Sequence, residues 1–200
     1  MKAMLFDLGR VLIHYDHDRT IAGIASVSQA SPQAIRLLLQ SLAEPLGTGK
    51  LDARETHRLL MERAGVTPDF DRFVQAACQG MARDEEALAY AVSLEERPGV
   101  RVGIISNTVA VHAIWLHANL PELKRFSAVL LSNEVGLMKP DPRIYRLASQ
   151  RLGIPPEGSF FVDDLPENVR GAQAVGMAGL VHESWARTRP AIEAWLAGQA

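Results

Sequence analysis

The sequence has a single cysteine, Cys78, among its 200 residues. This excludes an internal disulfide and any metal site built from several cysteines. No apolar run approaches the roughly 18 residues that a membrane-spanning helix needs. No basic-then-apolar leader opens the chain, so we expect a cytoplasmic protein with no membrane partner.

An excess of positive charge is also missing. The chain has 21 Lys and Arg residues against 23 Asp and Glu residues, a net charge of −2. No basic field is present to attract nucleic acid or anionic lipid, and neither is expected as a partner. With 48% hydrophobic and 22% charged residues, the composition is typical of a globular chain with one good core, alone or with a smaller second domain. Nothing in it indicates an oligomeric state.

The first apolar segment, residues 3–6 (AMLF), is too short for a buried helix and predicts a strand covered on both faces. Asp7 follows it directly. Open parallel sheets bind ligands at the carboxyl ends of their strands, so Asp7 stands where a reactive group would lie. The simpler interpretation is a carboxylate that caps the next turn.

From residue 97 onward, four strand-like segments alternate with helical ones. Such alternation predicts right-handed crossovers and a mostly parallel, Rossmann-like sheet with helices on both faces, an α/β fold. Between residues 15 and 96 the pattern is helical, with no convincing strand. We therefore expect an α/β core formed by residues 1–14 and 97–200. A helical cap domain, 15–96, would be inserted above the carboxyl edge of the sheet.

Polar residues follow four of the predicted core strands. They are Asp7, the pair Ser106-Asn107, Lys139 in the loop GLMKP, and the pair Asp163-Asp164. Three neighbouring carboxylates would favour a cation, and all-oxygen ligation suits Mg²⁺. Lys139 and Ser106 could then bind a phosphoryl group. Taken singly, Ser106 could be a helix N-cap, Lys139 a solvated loop lysine, and the acidic pair a turn.

Four strings of the sequence carry a resemblance. FDLGRVL, IISNT, GLMKPDPRIY and FFVDDLPENVRGA resemble, in order and spacing, the four motifs of the haloacid dehalogenase-like hydrolase superfamily. Many of its members carry a cap where this chain has its helical segment. Within the superfamily the sequence is most similar to a branch of sugar-phosphate phosphatases that includes a bacterial glucose 1-phosphate phosphatase.

This resemblance implies a magnesium site. Mg²⁺ would be held by the carboxylate of Asp7, the backbone carbonyl of Gly9 and Asp164, with Asp163 as a further ligand or as support behind the ligands. Asn168, one helical turn beyond Asp164, would orient that carboxylate or a metal-bound water.

The same resemblance implies the catalytic groups. Asp7 would attack phosphorus and carry an aspartyl-phosphate, while Ser106 and Lys139 hold the transferring group. Asn107 could add a further donor to the substrate. The implied reaction is Mg²⁺-dependent hydrolysis of a small phosphorylated metabolite, in this branch a sugar phosphate.

The sequence departs from the usual pattern at Gly9. Most phosphatases of the superfamily have an aspartate there, which protonates the leaving group and then activates water. That help is typically worth about 10²–10⁴-fold in rate. Asp16 and His14, just beyond the strand, could replace it, although a solvated hinge also explains them.

Two other functions remain open at this stage. A 2-haloacid dehalogenase would also use an aspartyl nucleophile, but without metal, and paired acids without a cation would oppose its carboxylate substrate. A non-catalytic module that binds a phosphometabolite would keep the fold while lacking the acid at Gly9. Retention of all four charged motifs favours catalysis.

Overall fold

A computed structural model describes residues 1–66 and 69–198. Residues 67–68, within the predicted cap, and 199–200, at the end of the predicted core, lie outside the described residues. Two short 3-10 helices, Pro121–Lys124 and Pro156–Gly158, accompany the main elements. In chain order, the strands and helices of the described part are β1 (Lys2–Phe6), β2 (Ile13–Tyr15), α1 (His17–Ser28), α2 (Pro32–Ser41), α3 (Ala43–Gly47), α4 (Ala53–Ala64), α5 (Phe70–Ala77), β3 (Met81–Arg83), α6 (Glu85–Glu95), β4 (Val100–Ser106), α7 (Ala110–Asn119), β5 (Ala128–Leu131), α8 (Ser132–Val135), α9 (Pro142–Leu152), β6 (Ser159–Asp163), α10 (Pro166–Gln173), β7 (Ala178–Val181) and α11 (Trp185–Leu196).

The main sheet has five parallel strands in the order β5-β4-β1-β6-β7. β1 lies at its centre, where Met4 pairs with Val102 of β4 and with Phe160 of β6. Residues 3–6 are fully buried, because apolar clusters cover both faces of the strand. Met4 and Phe6 pack on one face, and Ala3 and Leu5 on the other. This confirms the predicted α/β fold with a mostly parallel sheet.

Helices α1, α2, α4 and α5 form a separate apolar cluster of their own. It includes Ile21, Ile35, Leu60 and Phe73, and it also takes in Val111 from α7. Helix α4 begins with a capping box, in which Asp52 accepts from the backbone N–H of Glu55 and Glu55 accepts in return. No helix in the described part of the chain is long and apolar enough to cross a membrane.

Two short antiparallel strands, β2 and β3, join this helical segment to the sheet. His14 of β2 pairs with Ala82 of β3. The prediction of no strand between residues 15 and 96 is therefore wrong for β3. A three-residue strand is too short to show alternation, and its pairing partner lies far away in sequence. The segments before β3 and after β2 pass so closely that a Cβ at Gly80 would lie 2.1 Å from the carbonyl oxygen of Asp16.

Helix α6, which the sequence pattern places in the cap, packs on the sheet. Its buried residues Ala87, Leu88 and Leu94 belong to the same cluster as Met4 and Phe6. The predicted boundary between core and cap lies at residue 97, where the pattern changes from helical to strand. In the structure, packing against the sheet already begins after β3, with α6. The division into core and cap stays a prediction, with α6 now on the core side of it.

The helical segment also contacts α8, which follows strand β5 at the carboxyl edge of the sheet. Gly49 has a φ of +73°, and a Cβ there would lie 1.9 Å from the carbonyl oxygen of Asn133 in α8. Glycine is the residue that combines this backbone conformation with so close an approach. The contact places α3 beside the loop that carries Lys139, and a cavity lies between the helices and the sheet edge.

Candidate active site

The carboxyl ends of β4, β1 and β6 bring the predicted groups to one edge of the sheet. Ser106 is the last residue of β4, Asp163 is the last residue of β6, and Asp7 follows β1. The backbone N–H of Asp7 donates to the carbonyl of Val162 at 2.9 Å, which extends the pairing of β1 with β6 to the aspartate itself. A cavity of about 430 Å³ opens here, and its walls include Asp7, Ser106, Lys139 and Asp164.

Lys139 lies buried between two of the acids. Its Nζ is 2.8 Å from Oδ1 of Asp7 and 2.6 Å from Oδ2 of Asp163. Only 1% of the lysine side chain and none of the Asp163 side chain is exposed. The interpretation of Lys139 as a solvated loop lysine is therefore wrong.

Asn107 fixes the loop that delivers this lysine. Its side-chain amide donates to the carbonyl of Lys139 at 2.9 Å, and its Oδ1 accepts from the backbone N–H of Lys139 at 2.8 Å. The sequence analysis assigned this amide to the substrate, whereas in the structure it binds the protein backbone. Asn107 nevertheless lies in the cavity wall.

The two adjacent acids have different surroundings. Asp163 accepts from Nδ2 of Asn168 at 3.0 and 3.1 Å and from the backbone N–H of Leu165 at 2.8 Å, in addition to its contact with Lys139. Asn168 therefore binds Asp163, whereas the sequence analysis paired it with Asp164. Asp164 is half-buried and lies in the cavity wall, with its Oδ2 3.6 Å from a guanidinium nitrogen of Arg10. Asp164 is thus the acid available to a ligand, and Asp163 is enclosed by protein donors.

Burial raises the pKa of Asp7, Lys139 opposes that shift, and Asp163 adds to it. Burial likewise raises the pKa of Asp164, and Asp163 again adds to the shift. For Lys139, burial alone would lower the pKa, but the carboxylates of Asp7 and Asp163 raise it overall, so the lysine is protonated. One ammonium thus faces three carboxyl groups, an imbalance that a cation would relieve.

The donor set fits a hard divalent cation. One carboxylate oxygen from each of Asp7, Asp163 and Asp164 lies within 4.8 Å of the others. Oxygen ligands of this kind suit Mg²⁺. Gly9 lies in the same cavity wall, where its backbone carbonyl is available as a further oxygen donor.

Ser106 is buried at the base of the cavity, with 4% of its surface exposed. It does not cap a helix, because α7 begins at Ala110 with Val109 as its N-cap residue. The turn beyond Ser106 is held by Ser132, whose Oγ accepts from the backbone N–H of Thr108 at 2.9 Å and donates to the Thr108 carbonyl at 3.0 Å. The hydroxyl of Ser106 therefore stands on rigid backbone.

His14 and Asp16, the predicted substitutes for the missing acid, lie outside this cavity. His14 is exposed, and Asp16 caps α1 by accepting from the backbone N–H of Arg19 at 3.0 Å. Both line a separate depression, which Tyr15 borders as well. Tyr15 and His17 line the cavity, whereas His14 and Asp16 do not. Alternation along β2 directs Tyr15 away from His14, and this signal becomes readable only once the strand is known.

Sequence analysis also missed His112 of α7, which lines the cavity beside Tyr15 and His17. The Tyr15 ring stands edge-on to His112 at 5.7 Å, and its hydroxyl lies 3.3 Å from Nδ1 of His17. Nε2 of His112 lies 3.2 Å from the carbonyl of Ala77 and can only donate to it. Burial lowers the pKa of His112 to about 4, so this imidazole is neutral near pH 7.

Comparisons with known proteins agree with this geometry. A family model described as haloacid dehalogenase-like hydrolase matches residues 1–176. A phosphatase of Mycobacterium tuberculosis is 29% identical over 163 residues, which cover 80% of this chain and 66% of that protein. A glyceraldehyde 3-phosphate phosphatase of Methanopyrus kandleri is 32% identical over 130 residues, 60% of this chain and 54% of that protein. The chain thus spans less than two thirds of the length of either relative.

A solved structure is similar over nearly the whole chain. It is a HAD family enzyme of Bacteroides thetaiotaomicron in complex with magnesium and inorganic phosphate. It superposes with a TM-score of 0.82 at 25% identity, covering 94% of this chain and 98% of that one.

The buried lysine predicts a specific loss of stability. Lys139→Met leaves Asp7 and Asp163 without their cation, and we expect the free energy of unfolding to fall by about 3 kcal/mol or more in EDTA. Adding Asp163→Asn to that variant should recover part of the loss, because one unpaired carboxylate is removed. Urea titrations measure both, and Lys124→Met, at an exposed lysine, is the control. A double variant no more stable than the single one would contradict the pairing.

Proposed function

The chain belongs to the haloacid dehalogenase-like hydrolase family, and from that premise we propose that it is a Mg²⁺-dependent phosphatase acting on a small phosphorylated metabolite. The observation that carries the proposal is the position of Lys139 Nζ, 2.8 Å from the Asp7 carboxylate at the base of an open cavity. A cation beside a nucleophile can hold the equatorial oxygens of a phosphoryl group at the point of attack.

In the proposed mechanism the Asp7 carboxylate attacks phosphorus. A bond forms between a carboxylate oxygen of Asp7 and phosphorus as the bond from phosphorus to the ester oxygen breaks, and the departing alkoxide takes a proton from water. Water then attacks the aspartyl-phosphate, which releases inorganic phosphate and restores the carboxylate. Ser106 donates to a phosphoryl oxygen, and Lys139 neutralises the charge of the group throughout.

Asp7, Asp164 and the Gly9 carbonyl would hold Mg²⁺, which supplies positive charge against the phosphoryl oxygens and the carboxylates. Asp163 is better suited to support, since all its donors are protein groups: Lys139, Asn168 and the Leu165 N–H. We assign Asp163 to holding Lys139 at its working position. Of the two roles that the sequence left open for Asp163, ligand or support, the proposal adopts support.

The rival functions fit this site less well. A 2-haloacid dehalogenase would have to bring a carboxylate substrate to three carboxyl groups balanced by one lysine. A module that only binds a phosphometabolite would not need an aspartate in contact with the buried lysine. The organic part of the substrate is a separate question, because Asp7, Ser106 and Lys139 would all contact the phosphoryl group. The resemblance alone favours a sugar phosphate, and the glyceraldehyde 3-phosphate phosphatase of Methanopyrus kandleri points to the same class.

The nucleophile is tested by Asp7→Asn. The amide cannot form the acyl-phosphate, so phosphate release with Mg²⁺ should fall by roughly 10³-fold or more. The fold should persist, since Lys139 keeps Asp163 as a partner. Circular dichroism checks the fold, and EDTA added to wild type should abolish the same activity. Turnover that survives the substitution would exclude Asp7 as nucleophile, and a wild type inactive on every phosphate ester would leave only a binding function.

The metal site is tested by Asp164→Asn. Removing the carboxylate that faces the cavity should weaken Mg²⁺ binding by about tenfold or more, as measured by calorimetry on the protein without substrate. Asp71→Asn, at an exposed acid of α5, should bind Mg²⁺ as wild type does. An unchanged affinity in Asp164→Asn would remove this residue from the ligand set.

Gly9 predicts how the rate depends on the leaving group. A Cβ at Gly9 would meet only the Tyr15 side chain, at 3.7 Å, and so Gly9→Asp can be accommodated. Without an acid at this position, kcat/KM should rise steeply with the acidity of the leaving alcohol, and Gly9→Asp should flatten that dependence. The measurement is a series of phosphate esters of graded leaving-group acidity. A flat dependence in wild type would mean that another group supplies the proton, and His17→Gln would then test the histidine of the cavity wall that is not already bound to a backbone carbonyl.

A further inference from the structure

A second cavity, of about 290 Å³, adjoins the one at the sheet edge. The two share part of their walls: His17, Asn107, Thr108, Val109 and His112 line both. The second cavity extends from this shared neck into the helical segment α1–α5. We call it the apolar chamber, after the side chains that form most of its wall, among them Ile24, Leu39, Leu46, Leu60, Phe73 and Val111.

Five of the seven polar side chains in the chamber wall have a partner within the protein: His17, Arg36, Thr56, Asn107 and His112. The Thr56 hydroxyl donates to the carbonyl of Asp52 at 2.7 Å, inside helix α4. Nε2 of His112 donates to the carbonyl of Ala77, and the Arg36 guanidinium binds Asp18 at 2.7 Å. A sugar ring carries a hydroxyl on most of its carbons, and each one withdrawn from water needs a new partner or costs free energy. The chamber offers an apolar group a better environment than it offers a sugar.

We propose that the apolar chamber receives the organic part of the substrate, and that this part is a hydrocarbon-rich group on a phosphate monoester. The proposal rests on the phosphatase function proposed above. With phosphorus at Asp7, the ester oxygen is directed to the neck at His17 and His112, and the carbon chain continues into the chamber. The proposed substrate class therefore differs from the small sugar phosphates that the resemblance favours.

The size of the chamber limits the group it can hold. An apolar cavity of about 150 Å³ takes up benzene, and the chamber has about twice that volume. It therefore accommodates a group of roughly ten carbon atoms. Gln40 and Ala43 in its wall are exposed, so the far end reaches solvent and a longer chain would emerge there.

Straight-chain alkyl phosphates from ethyl to dodecyl test the proposal. Their leaving groups are all primary alkoxides of nearly equal acidity, so differences in rate report on contacts with the chain. At full burial each methylene is worth about fourfold in kcat/KM. We expect a rise of roughly three- to fourfold per methylene up to about eight to ten carbons, followed by a plateau. A flat series, or glucose 6-phosphate, whose leaving group is also a primary alkoxide, turned over faster than octyl phosphate, would overturn the proposal.

Neighbouring leucines of α2 provide a matched pair of variants. Leu39 and Leu38 are both half-buried and both pack against the helical cluster, but only Leu39 lines the chamber. Leu39→Gln should lower the ratio of kcat/KM for octyl phosphate to that for ethyl phosphate by about tenfold. Leu38→Gln should keep the wild-type ratio. Equal ratios in the two variants would show that the chain does not contact this wall.

A binding measurement separates this proposal from the one on which it rests. Alkyl phosphonates cannot be hydrolysed, and their affinity, measured by calorimetry with Mg²⁺, should increase with chain length in wild type and in Asp7→Asn. Binding that strengthens with length in a protein that hydrolyses no ester would refute the phosphatase and support the chamber. Turnover of every ester without dependence on chain length would support the phosphatase and refute the role of the chamber.

Discussion

The contact of Lys139 with Asp7 and Asp163 is the interaction on which the site depends. Two carboxylates and one ammonium are withdrawn from water together, which is tolerable only while all three stay in contact. The neighbouring structure maintains that contact: Asn107 holds the backbone of Lys139, and Asn168 holds both oxygens of Asp163. Protein groups thus hold the lysine in position. In the proposed reaction a phosphate ester would meet charges that are already fixed, so little reorganisation would be needed.

Much of this arrangement could be predicted from the sequence, because parallel strands leave few alternatives. A fully apolar strand followed by an acid predicts a strand covered on both faces and a carboxylate at the carboxyl edge of the sheet, and β1 and Asp7 have both. Later strands of the same sheet must end at the same edge, so Ser106 and the acids at the end of β6 converge with Asp7 however far apart they are in sequence. The dipeptide Asp141-Pro142 also predicts a helix start, because aspartate is a favoured N-cap residue and proline suits the first helical position, and α9 begins there.

Other features depend on contacts that a linear pattern does not contain. Asp163 and Asp164 are adjacent residues of the same type, so the sequence does not distinguish their surroundings. The structure does, because Asn168 and Lys139 bind Asp163. His14 was predicted as a substitute acid, and only the pairing of β2 with β3 shows that Tyr15, its neighbour on the strand, lines the cavity in its place. The apolar residues of α1, α2, α4 and α5 predict helices with buried faces, yet a helix pattern is the same whether that face meets another side chain or the wall of a chamber.

The central position of β1 has a consequence for synthesis on the ribosome. This strand comes first in the chain, but its neighbours β4 and β6 begin only at residues 100 and 159. An apolar segment with both edges unpaired must therefore wait while more than half of the chain is translated. Helices α1, α2, α4 and α5 pack mostly against one another and can assemble in the meantime. We expect chaperones that bind nascent chains to contact residues 3–6 above all, and the carboxylate of Asp7 to reach its final surroundings only when β6 closes the sheet beside it.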